Sequence, residues 1–172
     1  MALNVDFTFD KETYRHYMNG FLSVLHCHHY LCLTTKMAED FDDLGGITIL
    51  RETAEETIKP LFDDYIRKNN LTELEDRLAV GVEYYSVMGL GKMRVSAKEG
   101  GGEAQLARSH IDTGWIKKWG ISTTHHNHFT CGYIAAIFAS TFERELGSYQ
   151  VQEVQSIVTG DKSSLFQVQL KG

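Results

Sequence analysis

Residues 149–171 carry the sequence YQVQEVQSIVTGDKSSLFQVQLK, and this stretch determines the predicted fold. In its second half, apolar residues recur at every second position, namely Phe166, Val168 and Leu170. Alternation with a period of two is typical of a strand that buries one face. Gly160-Asp161 is a turn sequence between the two halves. We therefore expect an antiparallel hairpin formed by residues 149–158 and 164–170.

A second antiparallel hairpin is predicted upstream of the first. Apolar residues again occupy alternate positions, at Met93, Val95 and Ala97. The sequence EGGGE over residues 99–103 provides a loop, because glycine clusters interrupt regular structure. Residues 104–111 then return as the antiparallel partner strand.

Helical periodicity occupies most of the remaining chain. We predict helices over residues 10–37, 47–69, 72–88 and 129–146, and a short aromatic helix or turn over residues 112–120. No linker, repeat or low-complexity segment divides the sequence. This order of elements predicts a single α+β domain over residues 1–172, with N-terminal helices packed on an antiparallel sheet and an inserted C-terminal helix.

Composition and charge argue against several classes of function. The 172 residues include 17 Lys and Arg against 23 Asp and Glu, so the formal net charge is −6, unlike the basic surface of a nucleic-acid binder. The chain has no apolar run of about 18 residues, and its first residues, MALNVDFTFDKE, lack the features of a signal peptide. The three cysteines form no CxxC pair, which argues against a disulfide framework or a zinc ribbon. We expect a cytoplasmic protein that binds neither nucleic acid nor membrane.

Histidine and cysteine are concentrated in residues 25–32, LHCHHYLC. On the helix predicted over residues 10–37, His28 and Cys32 lie one turn apart, and His29 lies at the edge of the same arc. Imidazole and thiolate are ligands of zinc and related metals. We therefore predict a transition-metal site, for zinc or iron, on these three side chains. The alternative is that the histidines are core or interface residues whose N–H groups are satisfied.

A second concentration occurs in residues 125–131, HHNHFTC, which lead into the helix predicted over residues 129–146. Cys131 falls near the first turn of that helix, and a helix N-terminus lowers the pKa of a thiol. His128 precedes it by three residues, close enough to act as its base. We predict that Cys131 and His128 form a catalytic pair. The alternative is that Cys131 is a small buried residue without chemistry.

Three further residues are predicted to contact a ligand. His110 lies near the end of a predicted strand, Tyr17 lies on the apolar arc of the first predicted helix, and Trp115 lies in the short aromatic segment. Together with the two clusters, these residues line one pocket if the fold brings their segments together. Packing in the core is the alternative role for the aromatic residues.

The C-terminal half carries a family resemblance. FTCGYIA over residues 129–135, QEVQSIVTGD over 152–161 and SLF over 164–166 resemble the 4-vinyl reductase, or hydrocarbon-binding, domain family. The resemblance covers about residues 129–168. It implies a fold shared with subunits of the vesicle-tethering transport-protein particle. It also implies a domain that binds small molecules, found alone or as the sensor module of regulators that respond to aromatic compounds.

The sequence departs from that family at two positions. Members commonly carry a cysteine after the glutamate and another before the final aromatic residue, where this chain has Ser156 and Ser164. A metal or thiol role of those cysteines therefore does not carry over. The C-terminal pattern is also similar, more weakly, to the thiazoline-carboxylate hydrolase family. That resemblance implies ring-opening hydrolysis and fits a nucleophile at Cys131 with His128.

These observations predict a small-molecule-binding domain with a pocket lined by histidine and cysteine. We expect an enzyme that acts on a small organic substrate, with a heterocycle as one candidate, by metal- or thiol-assisted chemistry such as hydrolysis. The alternative is a non-catalytic sensor or carrier of hydrophobic small molecules. A haem group bound through one histidine is a less favoured cofactor. Because Val24 and Leu31 lie off the main apolar stripe of the first predicted helix, we also expect a homodimer.

Overall fold

The computed structural model describes residues 3–24 and 26–172, apart from the side chain of His28. The strands are β1 (Phe7–Asp10), β2 (Arg15–Met18), β3 (Phe21–Ser23), β4 (Gly91–Lys98), β5 (Gly101–Ser109), β6 (Tyr149–Gln155) and β7 (Ser164–Leu170). The helices are α1 (His28–Asp40), α2 (Gly46–Lys68), α3 (Leu74–Val87), α4 (His110–Trp119) and α5 (His128–Thr141). Short 3-10 turns occupy Asp42–Leu44 and Ile157–Thr159.

The C-terminal sheet has four antiparallel strands in the order β4-β5-β7-β6. Both predicted hairpins are confirmed, and they join side by side because β5 pairs with β7. In that pairing Ala104 lies opposite Phe166, and both are fully buried. The strands bury alternate residues, as a sheet with one covered face requires. The predicted α+β class is therefore confirmed, with α4 and α5 inserted between β5 and β6.

Helix α5 forms the centre of the fold. Every residue of its 14 except Phe129 is buried, and it packs along α2. Gly132 permits close packing of the two helices, since a Cβ atom there would lie 2.1 Å from the carbonyl oxygen of Arg51. Membrane-spanning helices need about 20 apolar residues. Within the described residues, no helix combines the length and apolar character needed to cross a bilayer.

The helix predicted over residues 10–37 is wrong in its N-terminal part, and α1 (His28–Asp40) covers only the last ten of those residues. The structure instead has a three-stranded antiparallel sheet, β1-β2-β3, followed by α1. Asp10 does not begin a helix, because its carboxylate accepts hydrogen bonds from the turn that follows, including Glu12 N at 2.8 Å. Asn19 and Gly20 have φ angles of 50° and 84° and connect β2 to β3. Asn-Gly is a strong signal for a tight hairpin turn, and it outweighs the helical spacing of the neighbouring aromatic residues.

The two residues that suggested a dimer are placed differently from each other. Val24, just after β3, is 80% exposed, whereas Leu31 on α1 is only 6% exposed and packs in the core. Leu25, which the prediction assigned to the same helix, lies outside the described residues. An exposed apolar surface therefore exists near β3, but it belongs to the N-terminal sheet and not to a helix.

Candidate functional site

The candidate site is centred on the three consecutive buried residues His126, Asn127 and His128. His126 and Asn127 end the segment 120–127, which joins α4 to α5, and His128 is the first residue of α5. The two histidine side chains contact Glu39 near the end of α1. Asn127 between them turns to the interior and contacts Glu153 of β6. The segment therefore connects a half-buried cluster of charged groups to a fully buried polar network.

Glu39 accepts two histidine hydrogen bonds on one carboxylate oxygen. Its Oε1 atom lies 2.6 Å from Nδ1 of His126 and 3.1 Å from Nε2 of His128. Burial alone would raise the pKa of Glu39, but the hydrogen bonds that it accepts from the two histidines outweigh burial and lower that pKa. The indole of Trp115 stacks on the His126 ring, with centroids 3.5 Å apart and planes within 15°. Glu39 on one side and Trp115 on the other therefore hold the His126 ring in place.

Arg51 of α2 extends this cluster toward α5. Its Nη2 group donates to Nδ1 of His128 at 3.3 Å, which fits a neutral imidazole whose Nε2–H donates to Glu39. The Arg51 Nε atom is buried and has no hydrogen-bond partner within the part of the chain that the structure describes. Buried polar groups are normally satisfied, so this N–H group is suited to an acceptor from outside the chain.

Arg51 also lines a half-open cleft of about 200 Å³ between α2, α5 and β6. Its polar and reactive lining residues are Thr48, Arg51, Glu52, Glu55, Cys131, Tyr149, Gln150 and Lys171. Burial raises the pKa of Glu55, although its Oε1 atom accepts a hydrogen bond from Gly147 N at 2.9 Å. A raised carboxyl pKa weakens the negative charge of Glu55, so the cations Arg51 and Lys171 are opposed in the cleft mainly by the carboxylate of Glu52.

Beneath the histidines, Asn127 bridges two buried carboxylates. Its Nδ2 group donates to Asp112 Oδ1 at 2.9 Å and to Glu153 Oε1 at 2.7 Å. Its Oδ1 atom accepts from Ser109 Oγ at 3.2 Å. The pKa of Glu153 is raised, first by burial and also by the charge of Asp112, despite the hydrogen bonds from Asn127 and Ser156. This network holds segment 120–127 against α4 and β6.

Ser156 and Ser164 are both fully buried, and both donate to Asp112. The Ser164 Oγ atom lies 2.8 Å from Asp112 Oδ2, and the Ser156 Oγ atom lies 3.4 Å from Oδ1. The two positions at which the resembling family commonly has cysteine therefore meet at one point of the fold. Zinc in proteins takes thiolate, imidazole or carboxylate ligands. Two serine hydroxyls do not fit such a group, so these positions are part of a hydrogen-bonded structure.

The structure differs from the expected chemistry of Cys131. The thiol is buried, and burial raises its pKa to about 12 although the charge of Arg51 acts in the opposite direction. The expectation of a lowered pKa at the helix start is therefore wrong, because desolvation exceeds the effect of the helix terminus. Both ring nitrogens of His128 are engaged, by Glu39 and by Arg51. A catalytic role for Cys131 and His128 stays a prediction, with no support from this geometry.

The residues predicted to bind metal are only partly described. Cys32 is fully buried, its Sγ atom lies 3.5 Å from the carbonyl oxygen of Ile111, and burial raises its pKa. His29 is exposed, and the side chain of His28 lies outside the described part of the chain. Among the described side chains, no three His, Cys, Asp or Glu residues are arranged to hold a metal ion. The site on His28, His29 and Cys32 stays a prediction.

The three predicted ligand contacts occupy separate places. Trp115 joins the candidate site by stacking on His126. His110 begins α4, and its ring centroid lies 6.2 Å from that of His26. Tyr17 lies in β2, opposite Thr8 of β1 and Leu22 of β3.

Sequence reasoning missed several residues that build the site, namely Glu39, Arg51, Asp112, Asn127 and Glu153. One of them carries a detectable signal. In β6, the alternation of Tyr149 and Val151 places Glu153 at an inward position, where an apolar residue is expected. A carboxylate at an inward strand position predicts a buried polar network. The other four have no such signal, because their partners are distant in the sequence.

No protein-family model matches this chain, and no curated protein matches it. Solved structures do match. The phenol-responsive sensory domain of the transcription activator PoxR, solved with phenol, has a TM-score of 0.74 at 12% identity, over 95% of this chain and 84% of that one. A vinyl-4-reductase family protein from Methanocaldococcus jannaschii has a TM-score of 0.58 at 18% identity, over 87% of this chain and 85% of that one.

A third similar structure is trafficking protein particle complex subunit 3 from Naegleria fowleri, covalently bound to palmitic acid. Its TM-score is 0.55 at 16% identity, over 84% of this chain and 95% of that one. All three likenesses extend over most of both chains. The chain therefore has the fold of the vinyl-4-reductase family protein, the trafficking particle subunit and the PoxR sensory domain, as the resemblance over residues 129–168 implies.

Proposed function

We propose that this chain is a small-molecule-binding domain whose ligand occupies the cleft between α2, α5 and β6. The observation that carries this proposal is the position of Arg51. Its side chain lines the cleft, contacts His128, and keeps a buried Nε–H group without a partner among the described residues. A ligand oxygen is the simplest acceptor for that group.

The cleft limits the size and chemistry of the ligand. Its volume of about 200 Å³ is below the roughly 300–1,000 Å³ of pockets for drug-sized molecules. The guanidinium of Arg51 and the ammonium of Lys171 favour an oxygen that is negatively charged or strongly polarised. The Tyr149 ring and Val151 add apolar contact area. A small organic molecule with a carboxylate or phenolic oxygen fits these conditions.

Proteins of similar fold support binding as the main function. The PoxR domain is phenol-responsive and was solved with phenol, and the Naegleria fowleri subunit carries palmitic acid. Both hold an organic molecule that is mainly apolar. For this chain, the function of a sensor or carrier fits at least as well as hydrolysis. The buried thiol of Cys131, with its pKa raised to about 12, offers no ready nucleophile in the cleft.

We infer that the protein pairs as a homodimer through its N-terminal sheet. Large apolar side chains are exposed on both faces of this sheet or beside it: Phe7 and Phe9 lie on one face, Leu22 lies on the other with Tyr17, and Val24 follows β3. A small sheet of short strands needs a covered apolar face for stability. A second copy of the same sheet, packed against the face of Leu22 and Tyr17, would cover that face symmetrically.

The binding proposal is tested by thermal unfolding with phenol or benzoate as the probe. Binding to the folded state raises the midpoint of unfolding with ligand concentration. We expect this rise in the wild type, and about tenfold weaker binding in Arg51→Met, since hydrogen bonds to a charged group contribute about 1.5–3 kcal/mol. Arg94→Met, on the exposed face of β4, is the matched control and should bind as the wild type does. No response to either probe at millimolar concentration, or equal binding by Arg51→Met, would overturn the proposal.

A further inference from the structure

A hydrogen-bonded chain of three side chains runs from α1 to the surface of segment 120–127. Glu39 Oε1 lies 2.6 Å from His126 Nδ1, and His126 Nε2 lies 2.8 Å from Ser122 Oγ. Carboxylate, imidazole and hydroxyl are thus connected in that order, through the two different nitrogens of one ring. A nucleophile within hydrogen-bond reach of a base, which a third group orients, is the arrangement used in nucleophilic catalysis.

The contacts of Glu39, His126 and Ser122 determine which of their atoms carry the protons. The carboxylate of Glu39 can only accept when ionised, so His126 Nδ1 carries the hydrogen of that bond. His126 Nε2 is then the acceptor in the neutral ring, and the hydroxyl of Ser122 donates to it. The stacked Trp115 indole holds the imidazole plane in place. The ring is therefore set to take a proton from Ser122.

Ser122 is more accessible than the histidine that it contacts. Its side chain is half-buried, whereas His126 is buried behind it. The Ser122 backbone is held by a hydrogen bond from its N–H group to the carbonyl oxygen of Val158 at 2.9 Å. Thr124 N donates to Ser122 Oγ at 3.1 Å, which further orients the hydroxyl oxygen. A reactant can therefore reach an ordered hydroxyl while the base stays shielded from water.

The surface beside Ser122 carries both apolar and charged groups. Ile121 is 64% exposed, and Trp119 is 40% exposed, with its ring against Trp115 and the Lys118 ammonium 4.6 Å from its centroid. The two apolar side chains offer contact area to an apolar or aromatic group. The ammonium disfavours a cationic substrate, so an uncharged ester with an apolar or aromatic group fits this surface.

We propose that Ser122, His126 and Glu39 form a nucleophilic triad that hydrolyses small uncharged esters with an apolar group. Ser122 is the nucleophile, His126 is the general base, and Glu39 is a positioning residue that orients the imidazole. This activity is separate from ligand binding in the cleft of Arg51 and does not depend on it. Ser122 is thus the proposed nucleophile for hydrolysis, whereas the sequence predicted Cys131 in that role.

The reaction balances without a cofactor. Ser122 Oγ attacks the ester carbonyl carbon while its proton passes to His126 Nε2, which forms an imidazolium beside the Glu39 carboxylate. Collapse of the tetrahedral intermediate breaks the bond to the leaving alcohol, which takes the proton from His126. Water then attacks the acyl group on Ser122 with the same proton transfers. The products are one carboxylic acid and one alcohol.

One further titratable neighbour, His128, acts on the same carboxylate, and Arg51 contacts that neighbour. His128 donates to Glu39 Oε1 at 3.1 Å, and Arg51 contacts the other nitrogen of His128. The hydrogen bond from His128 favours the ionised state of Glu39. His128 and Arg51 supply no hydrogen bond to Ser122, so the three members of the triad are defined by the contacts of His126 alone.

The test combines covalent labelling with turnover of the intact chain. A fluorophosphonate probe should phosphonylate Ser122 with loss of fluoride, and mass spectrometry of peptides should place the added mass on that residue. With p-nitrophenyl acetate, Ser122→Ala should lose about 100-fold or more in kcat, because removal of the nucleophile eliminates the acyl-enzyme route. Ser96→Ala, at an exposed serine of β4, is the matched control and should keep full activity and labelling.

The positioning role of Glu39 must be tested by a measurement that partial unfolding alone would not change. Glu39→Gln should lower kcat strongly with KM within about twofold, and Ser122→Cys should regain acylation that Ser122→Ala lacks. Absence of an adduct on Ser122, or equal turnover by Ser122→Ala, would overturn the triad. Ser122→Ala should still bind phenol or benzoate, so failure of the triad is distinguishable from failure of the binding proposal.

Discussion

Ser164 Oγ lies 2.8 Å from Asp112 Oδ2, although the two residues are 52 positions apart in the sequence. Both side chains are fully buried. Asp112 also accepts from Ser156 and Asn127 on its other oxygen, so one carboxylate holds β7, the turn after β6 and the start of α5 together. Because a buried carboxylate is costly unless it is hydrogen-bonded, this convergence gives the first of five predictions.

Replacing Asp112 by asparagine should destabilise the fold. An amide presents one oxygen and one NH₂ group, so it cannot accept from all three partners, and at least one buried donor loses its acceptor. Such a loss costs about 1–3 kcal/mol of unfolding free energy. Urea unfolding of Asp112→Asn measures it. Asp43→Asn, at an exposed aspartate, is the control and should change stability by less than about 0.5 kcal/mol. Equal stability of the two variants would contradict the network.

Replacing Gly132 by alanine should separate α2 from α5. The added methyl group would lie 2.1 Å from the Arg51 carbonyl oxygen, a backbone atom that cannot move by itself. Overpacking of this kind costs about 1–3 kcal/mol, and thermal or urea unfolding measures it. Gly100→Ala has no atom within 4 Å of its Cβ and should be neutral. A neutral Gly132→Ala would show that the helices are farther apart than described.

Glu153 should make stability depend on pH. Burial raises its pKa above the ordinary value of 4.5, so the folded state binds this proton more tightly than the unfolded chain does. Its stabilising contribution is complete below about pH 4.5 and is lost as the pH rises through the folded-state value. The wild type should therefore lose stability relative to Glu153→Gln over that range. Parallel profiles from denaturant unfolding at several pH values would contradict this prediction.

The three thiols should differ in reactivity. Cys27 is exposed, whereas Cys32 and Cys131 are buried. Burial raises the pKa of both buried thiols, and thiolate is the reactive species. Native protein should react with Ellman's reagent rapidly at one thiol per chain, and at three after denaturation. Cys27→Ser should remove the rapid phase. Rapid modification of Cys131 in the native protein would instead support it as the nucleophile.

The exposed N-terminal sheet should control association. Leu22→Glu places a charge on the apolar surface that we infer to be the dimer interface, and should shift the mass in solution toward the monomer. Light scattering after size-exclusion chromatography measures that mass. Leu146→Glu, at an exposed leucine far along the chain, is the control and should leave the mass unchanged. A wild type that is monomeric at micromolar concentration would rule out the dimer.

Much of the fold followed from local patterns. Period-two alternation predicted β4 and β7, and helical spacing predicted α2, α3 and α5 with bounds that differ from the structure by a few residues. The N-terminal segment failed for a local reason as well. Its aromatic residues fit both the helical period of 3.6 and the strand period of two. The turn signal of Asn19-Gly20 favours strands.

The candidate site was predicted less completely. The sequence pointed to the histidines of residues 125–128, but it assigned the chemistry to His128 and Cys131. In the structure, Glu39 contacts both His126 and His128, and burial raises the pKa of Cys131 to about 12. Hydrogen-bond partners such as Glu39 and His126, 87 positions apart, leave no common pattern in the sequence.

The sequence by itself determined the α+β class, the two hairpins and the unusual density of histidine before α5, because these depend on residue spacing along a few turns or strands. Only the tertiary structure decided which carboxylate faces each histidine, that Ser156 and Ser164 meet at Asp112, and that Cys131 lies in the interior. The physical reason is that protonation, hydrogen bonding and desolvation depend on distances in space, and those are set by how α1, α2 and β6 pack around α5.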